Sequence, residues 1–256
     1  MNKKSPIFVA NWKMQLPFAQ ALQFCTDNKE EFKTLSAAQA TLILCPSYEA
    51  LCPAGIVLCE QTAIKLGGQN CSQHLPGAYT GQVSAQSLAE LGCTYCIIGH
   101  SECRTFLKET DMDIARKAEQ LLINGVIPIV CVGETLKEYE QGTTFELLAQ
   151  QLEPVLGAIS NPALCPPTLL IAYEPVWSIG TGVVPSIDYL TKIFDWLAHV
   201  CAQALPNTQC MLLYGGSVTE ISIIQIREIK QVNGYLIGGA SLDFQKFKKI
   251  VSLGSK

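Results

Sequence analysis

The sequence predicts an α/β fold, a (β/α)8 barrel closed as a single domain over residues 1–256. Three observations predict it. Short apolar runs of strand length recur eight times along the chain. These runs are apolar throughout instead of alternating, which suits parallel strands covered on both faces. Segments with helical periodicity separate them, and strand–helix alternation sustained over ~250 residues is the pattern of such a barrel. No Gly/Ser/Pro-rich linker divides the chain. A doubly wound sheet would place a glycine-rich loop after its first strand. Here the first run ends in Asn11-Trp12-Lys13 and the glycines come late.

Taken in order, the strand runs are Ile7–Asn11, Thr41–Cys45, 64–69, 94–98, 126–132, Thr168–Tyr173, Gln209–Tyr214 and 234–237. Each is rich in Val, Ile, Leu or Cys. Between the first two, 18–35 carries Phe18, Leu22, Cys25 and Phe32 on one stripe with charge elsewhere, which predicts an amphipathic helix. Segments 85–91, 112–124, 145–159, 186–204 and 217–229 read the same way. Gly125 follows one of them as a helix-terminating glycine. Ser101-Glu102-Cys103-Arg104-Thr105-Phe106 reads as a short helix with Ser101 near its cap. A Lys-rich amphipathic helix, 244–253, closes the chain.

Hydrophobic residues make up 48% of the chain and charged residues 16%, which excludes a disordered segment as the main business of the sequence. A formal charge of −4 with no run of Lys or Arg argues against a nucleic-acid surface, although a local positive pocket for an anionic metabolite remains compatible with it. Among twelve cysteines, Cys45, Cys96, Cys131 and Cys210 sit within apolar runs and read as buried thiols. No Cys-x-x-Cys pair is read, and with only three histidines a zinc site is poorly supported. Met1-Asn2-Lys3-Lys4-Ser5-Pro6 lacks a signal-peptide apolar region, and no run reaches membrane-spanning length. The expectation is a soluble protein of a reducing compartment, the cytoplasm, with no membrane or nucleic-acid partner.

In a barrel, functional side chains gather where strands end. Those positions hold Asn11 and Lys13; Gln69 and Asn70; Gly99, His100, Ser101 and Glu102; Gly133 and Glu134; Glu174; Gly215, Gly216 and Ser217; and Gly238 and Gly239. Glu174 stands where an apolar strand stops before Pro175. Val176, Trp177 and Ile179, then Gly180 and Gly182, follow it as an apolar flap with flexible glycines. Alone, that stretch reads slightly better as a surface turn packed by Trp177; beside the other strand ends it reads as a base beneath a closing lid. Lys13 at the mouth would attract an anion and stabilise developing negative charge. A helix start after His100 keeps an imidazole neutral and able to donate a hydrogen bond. His74 and His199 lack such a setting and read as surface residues. Glu102 has two readings of equal weight: it suits the helix dipole, or it pairs with Lys13 or a proton-transfer network. Gly215-Gly216-Ser217 and Gly238-Gly239-Ala240-Ser241 follow the seventh and eighth strands, where barrels bind phosphate on backbone N–H groups.

With these pieces assembled, the chain resembles the triosephosphate isomerase family nearly end to end. The likeness rests on Asn11-Trp12-Lys13, Gly68-Gln69-Asn70, Gly77-Ala78-Tyr79-Thr80-Gly81, Gly99-His100-Ser101-Glu102, Cys131-Val132-Gly133-Glu134, the stretch from Ala172 to Gly182, Tyr214-Gly215-Gly216-Ser217 and Gly238-Gly239-Ala240-Ser241. The resemblance implies interconversion of dihydroxyacetone phosphate and glyceraldehyde 3-phosphate without metal or organic cofactor. It implies Glu174 as general base, neutral His100 as proton shuttle, and Lys13 with Asn11 as enediolate stabilisers. Gly180, Ser217, Gly238 and Gly239 would bind phosphate through their amides, with Ser101 and Glu102 in support. It also implies a homodimer through the loop 77–81, with Thr80 near the second subunit's Asn11. The competing expectation is a non-catalytic phosphosugar-binding or adhesive barrel.

The chain departs from the family pattern at four places. Gln82 and Cys103 replace a Glu and an Arg that would pair across the interface; losing both together is close to neutral, so a dimer is still expected. Cys103 is also the expected site of thiol modification. Val183-Val184-Pro185 at the far end of the lid brings in a proline that stiffens a hinge. Asn233 replaces a usual Asp before the last strand.

Overall fold

A computed structural model describes residues 5–36, 40–58, 63–161 and 164–255; Met1-Asn2-Lys3-Lys4 and Cys59 lie outside them. Eight parallel strands close a barrel in sequential order. They are β1 (Ile7–Asn11), β2 (Thr41–Cys45), β3 (Lys65–Gly68), β4 (Cys93–Ile98), β5 (Ile127–Val132), β6 (Thr168–Tyr173), β7 (Gln209–Tyr214) and β8 (Val232–Ile237). β8 returns to pair with β1, from Ile7 against Gly234 to Ala10 against Ile237. The helices are α1 (Phe18–Asp27), α2 (Lys29–Ser36), α3 (Tyr48–Leu58), α4 (Ala85–Glu90), α5 (Ser101–Phe106), α6 (Asp111–Ile123), α7 (Leu136–Gln141), α8 (Thr144–Ile159), α9 (Ile187–Ala204), α10 (Ser222–Ile226) and α11 (Phe244–Gly254).

Strand alternation divides the core into two clusters. Ile7, Val9, Ile129, Cys131, Leu170, Ala172, Met211 and Leu213 fill the barrel interior. Phe8, Ala10, Val130, Val132, Ile171, Tyr173, Leu212 and Tyr214 pack outward under the helices. The same parity aims the next residues along. Asn11 and Glu174 continue the inward sets of β1 and β6 and so meet at the mouth. Glu134 continues the outward set of β5 and so meets the outward Tyr173.

Four local readings change. The segment 18–35 is two helices, because the Asn28 side chain takes the Phe24 carbonyl at 2.8 Å and ends the first. The segment 217–229 keeps only α10, because Thr219 and Ser222 exchange side-chain hydrogen bonds with each other's backbone N–H and hold the chain in a turn until then. α3 and α7 were not anticipated; Pro53 inside α3 disguises a helix whose Ala50, Leu51, Ala54 and Leu58 face inward. Cys93-Thr94-Tyr95-Cys96 does have Cys-x-x-Cys spacing, along β4. Both thiols belong to the outer core cluster, and among the described residues no three His, Cys, Asp or Glu side chains converge as metal ligands would. Asn233 acquires an account: its side-chain carbonyl accepts the Leu212 N–H at 2.8 Å, where the β7–β8 register shifts.

Candidate active site

A cavity of about 330 Å³ opens at the carboxyl ends of the strands. Asn11, Lys13, His100, Glu174, Gly180, Ser217, Gly238 and Gly239 all line it, so residues from five separate strand ends share one pocket. Ser101 and Glu102 stand behind it on α5.

Glu174 is 2% exposed. Its Oε2 accepts the Ser101 N–H at 3.1 Å, and its Oε1 lies 3.2 Å from His100 Nε2. The N-cap of α5 is His100 and not Ser101: the imidazole Nδ1 accepts the Glu102 N–H at 3.2 Å. An accepting Nδ1 carries no proton, which assigns the neutral imidazole's hydrogen to Nε2, facing Glu174 and the cavity. Glu102 Oε2 stands 3.7 Å from the same Nδ1, beyond hydrogen-bond length, and its other oxygen is engaged by Lys13 Nζ at 2.5 Å. Both readings of Glu102 are therefore realised: it begins the helix and it pairs with Lys13. The Cys131 thiol beneath Glu174 is pushed well up, by burial first and then by the Glu174 charge, so it stays protonated.

Lys13 has a left-handed backbone, φ 54°, a costly conformation for a residue with a side chain. Its surroundings hold it there. Asn11 Oδ1 accepts the Lys13 N–H at 3.0 Å, and Gln69 Nε2 donates to the carbonyls of Lys13 and Cys45 at 2.8 and 2.9 Å. The twist carries the ammonium over the mouth, towards Gly238.

The flap after β6 forms a single helical turn, Val176–Ser178. Its Trp177 indole donates to Glu134 Oε1 at 2.8 Å, and Tyr173 Oη donates to both Glu134 oxygens at 3.0 Å. Glu134 is wholly buried, and burial raises its carboxyl above the usual range against the pull of these donors. Ser178 ties the flap together: its Oγ donates to the Val183 carbonyl at 2.6 Å and accepts the Ser217 N–H at 3.3 Å. The roles of Tyr173 and Ser178 were not read from the sequence, because each depends on a partner distant along the chain.

Fold and pocket define a (β/α)8-barrel enzyme whose mouth combines a carboxylate, an imidazole and an ammonium with glycine-lined amides. The triosephosphate isomerase family model matches residues 6–254. Triosephosphate isomerase of Albidiferax ferrireducens is 38% identical over 253 residues, covering 98% of this chain and 99% of that one. That of Mesomycoplasma hyorhinis is 36% identical over 248 residues, covering 96% and 98%. That of Bordetella pertussis is 36% identical over 249 residues, covering 97% of each. The chain belongs to the triosephosphate isomerase family. It is an isomerase acting on triose phosphates, and nothing found supports the non-catalytic alternative.

Proposed function

We propose that the chain interconverts dihydroxyacetone phosphate and glyceraldehyde 3-phosphate by proton transfer through an enediolate, with Glu174 as base. The observation that carries this is the convergence of Glu174, His100 and Lys13 on one cavity with Gly180, Ser217, Gly238 and Gly239 across it. Phosphate seated on those amides places a three-carbon chain between Glu174 and His100 Nε2. Glu174 takes a proton from one carbon and returns it to the next. His100 donates to the carbonyl oxygen and shuttles protons between the two oxygens, and Lys13 with Asn11 balances the charge that develops there. The triosephosphate isomerase family is itself the standard example of a neutral imidazole in this role and of a lid that excludes water, so both ideas are carried over from the family. Because Glu174 Oε1 stands 3.2 Å from His100 Nε2, this reading requires the carboxylate to leave both His100 and the Ser101 N–H before a carbon chain can lie between base and imidazole. Closure of the lid suppresses loss of phosphate from the enediol.

An assay with glyceraldehyde 3-phosphate tests the assignment. Glu174→Gln is expected to lose about three decades in kcat, roughly 4 kcal/mol of transition-state stabilisation. A variant within tenfold of wild type refutes Glu174 as base.

The same reading includes a homodimer and a cytoplasmic setting. The loop 77–81 is exposed, with Tyr79 stacked on the half-buried His74 at 4.1 Å. A cavity of about 420 Å³, lined among others by Tyr48, Asn70, Gln82, Leu107 and Lys117, is large enough to receive such a loop tip. Glu109 Oε2 is buried beside it without a hydrogen-bond partner. Cys45, Cys52, Cys71, Cys96, Cys103, Cys131, Cys165, Cys201 and Cys210 are free thiols, which suits a reducing compartment. No helix among the described residues is long and apolar enough to cross a membrane.

A further inference from the structure

We propose that Gln151, on α8, is a positioning residue for Glu174: its side-chain amide replaces the strand that β5 lacks at its carboxyl end, and so fixes the segment on which base and lid are seated. The inference rests on the assignment of Glu174 as base.

In a parallel sheet, alternate residues present N–H and C=O to opposite neighbours. Past the end of β5, Val132 and Glu134 serve the β6 side. The Val132 carbonyl accepts the Glu174 N–H at 2.8 Å and the Glu134 carbonyl accepts the Val176 N–H at 2.9 Å. Cys131 and Gly133 face the other way, where β4 has already left. Its pairing with β5 stops at Ile98 and Val130, and Gly99 turns off with φ 68°. Two side chains take the empty places. Arg104 Nη2 donates to the Cys131 carbonyl at 3.2 Å. Gln151 closes both groups of Gly133, accepting its N–H at 2.8 Å and donating to its carbonyl at 3.0 Å.

Gln151 is 7% exposed and sits among Leu148, Leu152 and Val155 on the buried stripe of α8. A buried amide on such a stripe is costly unless both its ends are used, and here both are. A cavity of about 200 Å³ runs along this side, lined among others by Ser101, Thr105, Gly133, Gln151 and Glu174. The segment is therefore held by these hydrogen bonds with little packing behind it. Its contact with the base is backbone on backbone: a Cβ added at Gly133 would lie 1.7 Å from the Glu174 carbonyl oxygen. Any movement of Gly133 passes directly to the Glu174 peptide, and through Glu134 to the Trp177 indole. Displacements of this kind, well under the size of an atom, are enough to slow a proton transfer between positioned groups.

Two variants test it, with kcat and KM measured well below the unfolding temperature. Gln151→Met keeps the length and removes both hydrogen bonds. Gln151→Glu keeps the acceptor but, when ionised, turns a second oxygen towards the Gly133 carbonyl; protonated, it restores the donor–acceptor pair. The expected result for Gln151→Met is a kcat lowered roughly tenfold or more, with KM within about threefold of wild type. For Gln151→Glu, the ratio of its kcat to that of wild type is expected to rise as pH falls from about 9 to about 6. A purely structural role would not move that ratio. A Gln151→Met kcat within about twofold of wild type, or a Gln151→Glu ratio flat with pH, overturns the proposal. Glu174→Gln in the same assay separates the two ideas: if it stays active the base assignment fails, and if it is inactive while the Gln151 variants are normal only the positioning role fails.

Discussion

Glu134 anchors the start of the flap after β6 on one carboxylate, buried under donors from Trp177 and Tyr173 and approached by Tyr189 at 3.4 Å. Its carboxyl is raised in the fold by burial. A raised folded value means that the native state binds the extra proton first, so this group favours folding most at low pH and the contribution is lost as pH rises through that value. Glu134→Gln removes the titration. The stability of the variant relative to wild type is therefore expected to increase as pH rises from about 4.3, the ordinary carboxylate value, towards neutrality. Urea unfolding of both proteins across that range checks the sign. Cys103, the expected site of thiol modification, is raised by burial as well. It is half-buried, and burial and the nearby Glu109 push its thiol up to about 11, which leaves it a poor nucleophile at neutral pH. Iodoacetamide at pH 7.5 (about 10 Å Debye length in 0.1 M salt) is expected to label the exposed Cys52 well before Cys103, as read by peptide mass mapping.

At the scale of elements, α6 and the lid show how much local chemistry contributes. α6 opens with a full capping box: Thr110 Oγ1 accepts the Asp113 N–H at 3.2 Å while Asp113 accepts the Thr110 N–H at 2.9 Å. Thr110→Ala is expected to cost about 1 kcal/mol in unfolding free energy without touching kcat. The flap after β6 is tied to itself through Ser178, with Thr181 donating to the Ser178 carbonyl at 3.0 Å, and ends on a buried Pro185 just before α9. Pro185→Ala is expected to change the lid exchange rate seen by relaxation dispersion while the isotope effect on the proton-transfer step stays unchanged. An unaltered exchange rate would count against a hinge role for Pro185.

At the scale of the whole molecule, the proposed isologous dimer rests on the exposed loop 77–81 and the cavity beside Glu109. The Gln82 side chain, standing where the family has an acid, instead accepts from Ser72 Oγ at 2.5 Å within its own subunit. Lys117 pairs with Glu109 and donates to Asn70 at 2.9 Å close to Cys103, so the buried acid there keeps a cation although residue 103 supplies none. Sedimentation at micromolar concentration is expected to show mainly dimer. Tyr79→Asp, which sets a charge on the loop tip, is expected to weaken it by at least about 2 kcal/mol, some thirtyfold in dissociation constant.

Four strands, Ile7–Asn11, Thr41–Cys45, Thr168–Tyr173 and Gln209–Tyr214, have the bounds that their apolar runs predict, and polar residues and glycines following β1, β4, β6, β7 and β8 line one pocket, while Asn70 and Glu134 turn away from it. This much is legible because hydrophobic period, turn chemistry and glycine placement are local properties, and because parallel closure brings all the carboxyl ends to one face. What the local pattern could not carry is the identity of distant partners. A glutamine on the apolar stripe of α8 marks a buried amide, but only the early departure of β4 explains why that amide meets Gly133. The capping imidazole of His100, the break at Asn28 and the pairing of Asn233 with Leu212 are likewise settled by hydrogen bonds whose other halves the fold alone brings near. The sequence by itself determined the barrel, its family and the residues of the pocket; the tertiary structure decided which buried polar group satisfies which, since that depends on where strands end in space.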